Sequence, residues 1–155
     1  MEQIEDVFTI NEEYQYNKLI VFINSTGKKL TELRKLSFIT KFDNYLSDLS
    51  NKDIPLFYFV FNLNKAKIPT NFSFIRDLTK LLLKHSELID KKLEFSVILY
   101  KSNLFYTFFN LFKRYYEPIK PLYLCQKYED ISLCIHNEKE RSRFPEIISK
   151  IKKKG

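Results

Sequence analysis

Two histidines, two cysteines and two glycines bound the chemistry this chain can perform. His85 falls on the apolar stripe of a helical pattern, where a hydrogen-bonded core or boundary histidine is expected rather than a base. His136 stands beside Asn137, Glu138 and Glu140 and reads as an exposed side chain. Neither sits in a His-Glu-x-x-His pattern that would hold a metal on one helix face. A serine nucleophile elbow and a phosphate-cradling loop both need glycine, because the backbone must turn tightly or approach the ligand closely. With only Gly27 and Gly155 present, both chemistries are close to excluded. Cys125 ends a strand pattern and Cys134 lies on a helical stripe, so they read as two ordinary buried thiols in a reducing compartment. No catalytic residue, cofactor or metal is expected, and the chain reads as a non-enzyme.

Two further groups of residues invite a functional reading. Asn62 and Asn64 follow an apolar strand, and Thr70, Asn71 and Ser73 follow at the start of a helical pattern. Hydroxyls and an amide at a helix start cap free backbone N–H groups beside the positive end of the helix dipole. Capping is the first expectation there; protein interaction, with Thr70 or Ser73 as a phosphorylation switch, is the functional alternative. The second group is Leu104-Phe-Tyr-Thr-Phe-Phe-Asn-Leu-Phe112, apolar almost all round. Phe105, Phe108 and Phe112, with Phe109, suit a sheet-facing side, which leaves Leu104 and Leu111 for another contact. A neighbouring helix, a second subunit or an apolar ligand would each serve.

The elements that must position these residues follow from hydrophobic periodicity. Leu56 to Phe61 is an unbroken apolar run opened by Pro55, the pattern of a central strand covered on both faces. Before it, Ile4 to Ile10 reads as a short edge strand and Asn11 to Asn17 as a polar turn, with Tyr14 and Tyr16 able to extend the next strand. That strand is Leu19 to Ile23. From Leu30 to Leu49, apolar Leu30, Leu33, Leu36, Ile39, Phe42, Leu46 and Leu49 recur at steps of three and four, with Lys35 among the charges expected outside the stripe. After the central strand come a helix from Asn71 to Ile89, a strand from Glu94 to Tyr100 and the aromatic helix from Leu104 to Tyr116. A short strand at Pro121 to Cys125 and a modest helix from Tyr128 toward Lys139 complete the order. Phe144 to Gly155 is a basic tail, read as helical from Pro145 onward.

Strands alternating with helices predict an α/β fold: one mostly parallel sheet of about five strands, an N-terminal β-hairpin, and helices packed on it. The 155 residues suit a single domain, placed at 1–143 with the tail at 144–155. Lys, Asn, Ile, Phe and Tyr are abundant and Ala66 is the sole alanine, a codon signature of an AT-rich genome such as that of a large DNA virus. The net charge of +7 owes most to scattered lysine, and only 5 of the 26 basic residues are arginine. Dispersed lysine gives weak, salt-sensitive affinity, so no specific nucleic-acid partner is expected. The acidic N-terminus lacks an apolar signal core, and no apolar window is long enough to span a membrane. The expected location is intracellular, the cytoplasm of a host cell if the source is viral.

The segment Phe61-Asn-Leu-Asn-Lys-Ala-Lys-Ile-Pro-Thr-Asn-Phe-Ser73 resembles the stretch of STAS domains that runs from a central strand to a helix start. Asn62 stands where that family has an Asp after the strand, and Thr70-Asn71 where it has an Asp-Ser pair. The segment has no Asp and no Ser-Gly, so only Thr70 or Ser73 can take the place of the family's phosphorylatable serine. The later stretch, Val97-Ile-Leu-Tyr-Lys-Ser-Asn-Leu-Phe105 through Pro118, is similar to CRAL-TRIO lipid-binding domains, in which a strand leads to an apolar helix over the lipid pocket. The resemblance covers most of Lys18 to Glu140 and implies the SpoIIAA-like fold shared by the two families. It implies a non-catalytic module that binds another protein through the helix start after the central strand. The alternative is a carrier of a lipid or other apolar small molecule beneath the aromatic helix 104–116; a homodimer through that helix is a third form of partnership.

Overall fold

The computed structural model describes residues 5–66, 72–101 and 120–147. Its first unit is a hairpin of β1 (Phe8–Gln15) and β2 (Lys18–Ser25), paired antiparallel from Phe8↔Ser25 to Gln15↔Lys18. The connecting turn is only Tyr16-Asn17, both at positive φ (50° and 65°). A two-residue turn of this hand matches the twist of the flanking strands. The expected polar turn at Asn11 to Asn17 is therefore corrected: Asn11 to Gln15 belong to β1. Asn11 to Tyr14 are all exposed, so this end of the edge strand meets water on both faces and reads as a loop.

From β2 onward, strand and helix alternate. α1 (Glu32–Ser50) is capped by the Thr31 side chain, which accepts from the Arg34 N–H, and it leads to β3 (Phe57–Asn62). α2 (Phe72–Lys84) and α3 (Ser86–Lys92) then lead to β4 (Leu93–Leu99). The single helix expected from Asn71 to Ile89 is in fact two, broken at His85. β5 (Leu122–Cys125), α4 (Glu129–His136) and α5 (Glu138–Arg141) follow. The expected helix toward Lys139 is interrupted at Asn137, whose side chain caps α5. A two-residue strand β6 (Glu146–Ile147) pairs antiparallel with β5, so the start of the tail is extended, not helical.

Strand order is sequential, β1-β2-β3-β4-β5-β6, with β2 to β5 parallel. Successive right-handed crossovers that advance in one direction place their helices on one face. α1, α2 and α3 accordingly pack with Leu19, Val21, Ile23, Phe57 and Phe59 in one aromatic-rich core. The opposite face carries Ile20, Phe22, Tyr58, Val60, Phe95, Val97 and Leu99, covered by Ile131, Cys134 and Ile135 of α4. One extra residue in β4, Glu94 between Leu93 and Phe95, shifts the register against Phe57 and Tyr58. That bulge rephases β4 so that Phe95, Val97 and Leu99 share a face with Tyr58 and Val60.

α1 buries Lys35, Phe38, Phe42, Leu46 and Leu49. Leu33 and Leu36, expected on the buried stripe, are 64% and 50% exposed, whereas Lys35, expected outside it, is 5% exposed. Both leucine positions fit a step of three toward Ile39 and Phe42, but one residue of phase is about 100° on a helix and turns them outward.

Candidate functional site

The parallel strands all end on one edge of the sheet, the edge where α/β proteins place their ligands and partners. Asn24 and Ser25 close β2 there, Asn62 closes β3, Tyr100 follows β4, and Cys125 closes β5 with Gln126 after it. The loop after β3 is held to this edge by its own polar groups. The Asn62 Oδ1 accepts from the Asn64 N–H at 3.1 Å, an Asx turn that bends the chain as it leaves the strand. The Ala66 N–H bonds the Leu63 carbonyl at 3.1 Å, and the Leu63 N–H reaches across to the Leu99 carbonyl at 2.8 Å. The buried Ser25 hydroxyl accepts from the Lys65 N–H at 3.0 Å, tying this loop to the end of β2. Gly27 turns away beside it at φ +86°, with the Lys65 Cβ nearby. The Lys65 side chain is left exposed, and the Asn64 Oδ1 is buried without a hydrogen-bond partner. On the next strands, the Tyr100 N–H bonds the Cys125 carbonyl at 3.1 Å.

Ser73, in the first turn of α2, accepts a 3.2 Å hydrogen bond from the Lys35 ammonium of α1. The same ammonium meets Glu32 Oε1 at 2.8 Å and Asp77 Oδ2 at 3.1 Å. A serine beside a lysine has the composition of a nucleophile and its base, but a base must be neutral. Here the hydrogen bond that Lys35 donates to Glu32, reinforced by the one to Asp77, raises the Lys35 pKa and holds the ammonium charged. The cluster is a clamp between the starts of α1 and α2. It was missed in the sequence because Lys35 was read as a surface charge. The available signal was its place three residues before Phe38 and seven before Phe42, on the stripe that is actually buried.

Both histidines are likewise engaged. His85 is 8% exposed and its Nε2 lies 2.7 Å from Asp43 Oδ1, where the break between α2 and α3 seats against α1. The Lys84 ammonium donates to the other Asp43 oxygen at 2.9 Å, and that bond, followed by the one to His85, holds the Asp43 carboxyl below its ordinary range. His136, expected to be exposed, is half-buried: its Nε2 lies 2.7 Å from Gln15 Oε1, and the Tyr16 ring stands edge-on at 5.0 Å. Burial, then the charges of Lys18 and Arg141, lowers its pKa. Cys125 and Cys134 are both buried, as expected. No group of three or more His, Cys, Asp or Glu side chains suited to a metal occurs among the described residues.

Of the candidate interaction residues, the fold places Asn62 and Asn64 together at the carboxyl edge and Ser73 in the Lys35 clamp. Thr70 and Asn71 lie outside the described residues, as do Leu104, Phe105, Phe108, Leu111 and Phe112 of the expected apolar helix. No helix among the described residues is long and apolar enough to cross a membrane. Compared with protein-family models, curated proteins and solved structures, the chain has no match.

Proposed function

We propose that this protein is a non-catalytic, STAS-like interaction module that binds another protein through the loop after β3 and the start of α2. The observation that carries the reading is the chemistry of the carboxyl edge. Asn62, Ser25 and the backbone of Leu63 to Ala66 form a hydrogen-bonded platform that projects the exposed Lys65 side chain. Its polar groups are amides and hydroxyls, which shape and position a surface without supplying a proton acceptor near neutral pH. The Lys35–Ser73–Asp77 clamp fixes the first turn of α2 against α1, so the surface is preorganised, and a partner orders few groups in binding it. The passage from a central strand through Asn62 and Asn64 toward a helix start is also the arrangement that the STAS resemblance implies.

The test compares two charge reversals at opposite ends of β3. Lys65→Glu alters the carboxyl edge and Lys52→Glu the amino edge, and both positions are exposed. A partner that co-purifies from the native source should be lost with Lys65→Glu and retained with Lys52→Glu, with both variants melting near the wild type. Equal retention in both variants contradicts the proposal.

A further inference from the structure

Lysine is scattered along the sequence, but the fold lines part of it up. Each of the parallel strands β2 to β5 is followed at its carboxyl end by exposed lysine: Lys28 and Lys29 after β2, Lys65 after β3, Lys101 after β4 and Lys127 after β5. The described connections that carry them, 26–31, 63–66, 100–101 and 126–128, contain no acidic residue. Strand order is sequential, so these ends stand side by side, about 4.8 Å apart from strand to strand. The amino edge is different. There Lys52 is followed by Asp53, and the Lys91 ammonium lies 2.7 Å from Glu87.

Like charges set along one edge without acids between them leave a positive strip that suits an anionic partner. Lys29, Lys65, Lys101 and Lys127 form no ion pair among the described residues. Lys28 shows what the strip accepts: Glu5 Oε2 lies 3.2 Å from its ammonium and 3.3 Å from the Arg34 guanidinium. A carboxylate of the chain itself thus sits at the β2 end. Leu33, exposed in the first turn of α1 at that same end, offers an apolar contact that a protein side chain fills and a phosphate backbone does not use.

We propose that the carboxyl edge is a docking strip for an acidic segment of the partner protein, whose Asp and Glu side chains lie across the ends of β2 to β5 against Lys28, Lys29, Lys65, Lys101 and Lys127.

The proposal rests on the reading of this edge as a protein-binding surface and adds the chemistry of what binds there. An extended segment crossing the strand ends advances about 6.6 Å for every two residues, so alternate carboxylates can keep pace with the row. The long lysine stems take up the difference, and a mobile point charge needs no forked geometry. Exposed pairs are individually weak, so affinity is a sum over the row and falls with salt.

The test measures anisotropy at low salt with a fluorescently labelled peptide of alternating Glu and Ser, its Gln counterpart, and an oligothymidylate of equal charge. One variant carries Lys29→Gln, Lys65→Gln, Lys101→Gln and Lys127→Gln. The other removes the same charge elsewhere, with Lys52→Gln, Lys80→Gln, Lys91→Gln and Lys139→Gln, all at exposed positions. The glutamate peptide should bind the wild type, bind the edge variant about tenfold or more weakly, and stay within about twofold for the other variant. The glutamine peptide should not bind, and the oligothymidylate should bind more weakly than the glutamate peptide. No binding to the wild type, equal losses in both variants, or tighter oligothymidylate binding that the edge variant loses would each overturn the proposal. Amide shifts of the wild type on adding the glutamate peptide decide it even if a variant fails to fold: they should concentrate at 26–29, 63–66, 100–101 and 126–128, and a spread over the whole surface contradicts it. A native partner released by Lys65→Glu while the glutamate peptide never binds would leave the edge a binding surface and remove only its acidic preference.

Discussion

The two faces of the sheet are closed by different means. On one, two long helices and a short one pack over the sheet: the Phe42 ring meets Phe59, which in turn meets Phe57, while Phe38 and Phe74 stand against Phe8. On the other, the described cover is the short α4, and cations seal its margins. Arg141 lies 4.4 Å over the Phe95 ring while donating to the Cys134 and Ile135 carbonyls at the end of α4. Lys18 lies 5.5 Å over Tyr58 and donates to the Ile135 carbonyl at 3.1 Å. The first face is held mainly by apolar area, with the Lys35 and Asp43 ion pairs joining its helices to one another. The second adds charge-assisted hydrogen bonds at one helix end to its own buried cluster, which includes both cysteines.

The largest expected effect abolishes the comparison altogether. Val60 is fully buried in β3 on the face that α4 covers, between neighbouring strands on both sides. Val60→Asp places an unpaired charge there, and a loss of several kcal/mol should leave no cooperative thermal transition. A melt within a few degrees of wild type would show that β3 is not central.

Phe42→Ala comes next, with an expected loss of about 3–5 kcal/mol by chemical denaturation, because a fully buried ring leaves a cavity among other rings. Arg141→Ala should cost less, about 1–3 kcal/mol, and locally. Amide exchange of α4 should quicken while that of α1 stays unchanged; equal acceleration on both faces would erase the distinction.

How much of this was legible in the sequence differs by face. The buried runs Leu19–Ile23 and Leu56–Phe61 announced the centre of the sheet, and alternation with helical patterns gave its parallel order. The phase of α1 was misread because leucine appears at both Leu33 and Leu36, while the buried position between them is filled by the aliphatic stem of Lys35, its ammonium neutralised by Glu32 and Asp77. The break at His85 was hidden because apolar residues continue in helical step through Leu81, Leu82, Leu88 and Ile89. It becomes apparent only when Asp43, far off in sequence, is seen to engage Lys84 and His85. The polar candidates Asn62 and Asn64 were legible as the end of a strand, and their bond to each other is local, but the link from Lys65 to Ser25 depends on β2 and β3 lying side by side. That Cys134 would enter the same buried cluster as Cys125 needed the position of α4, which no spacing rule supplies.

Smaller effects sharpen the contrast. The Asp43 carboxyl, held below its ordinary value by Lys84 and His85, contributes stability that is complete above its unfolded pKa. That contribution is lost as pH falls through the depressed folded value. The carboxylate is partly exposed, so solvent screening keeps the contribution below about 1 kcal/mol. Thermal midpoints measured from pH 6 to pH 3 should therefore fall less steeply for Asp43→Asn than for wild type; parallel curves would remove Asp43 from the account. The smallest change concerns the hairpin. Tyr16 adopts φ 50° in a turn that favours Asn, so Tyr16→Asn should raise stability by up to about 1 kcal/mol, less whatever the Tyr16–His136 ring contact provides. A lower thermal midpoint would show that the ring contact outweighs the turn.

The central claim is that this protein meets its partner at the carboxyl edge of the sheet. A photoreactive side chain introduced at Lys65, and separately at Lys52, tests it most directly when each protein is illuminated in its native source. The account predicts one discrete cross-linked partner from position 65 and none from position 52. The same partner captured from position 52 alone, or equally from both, would contradict it.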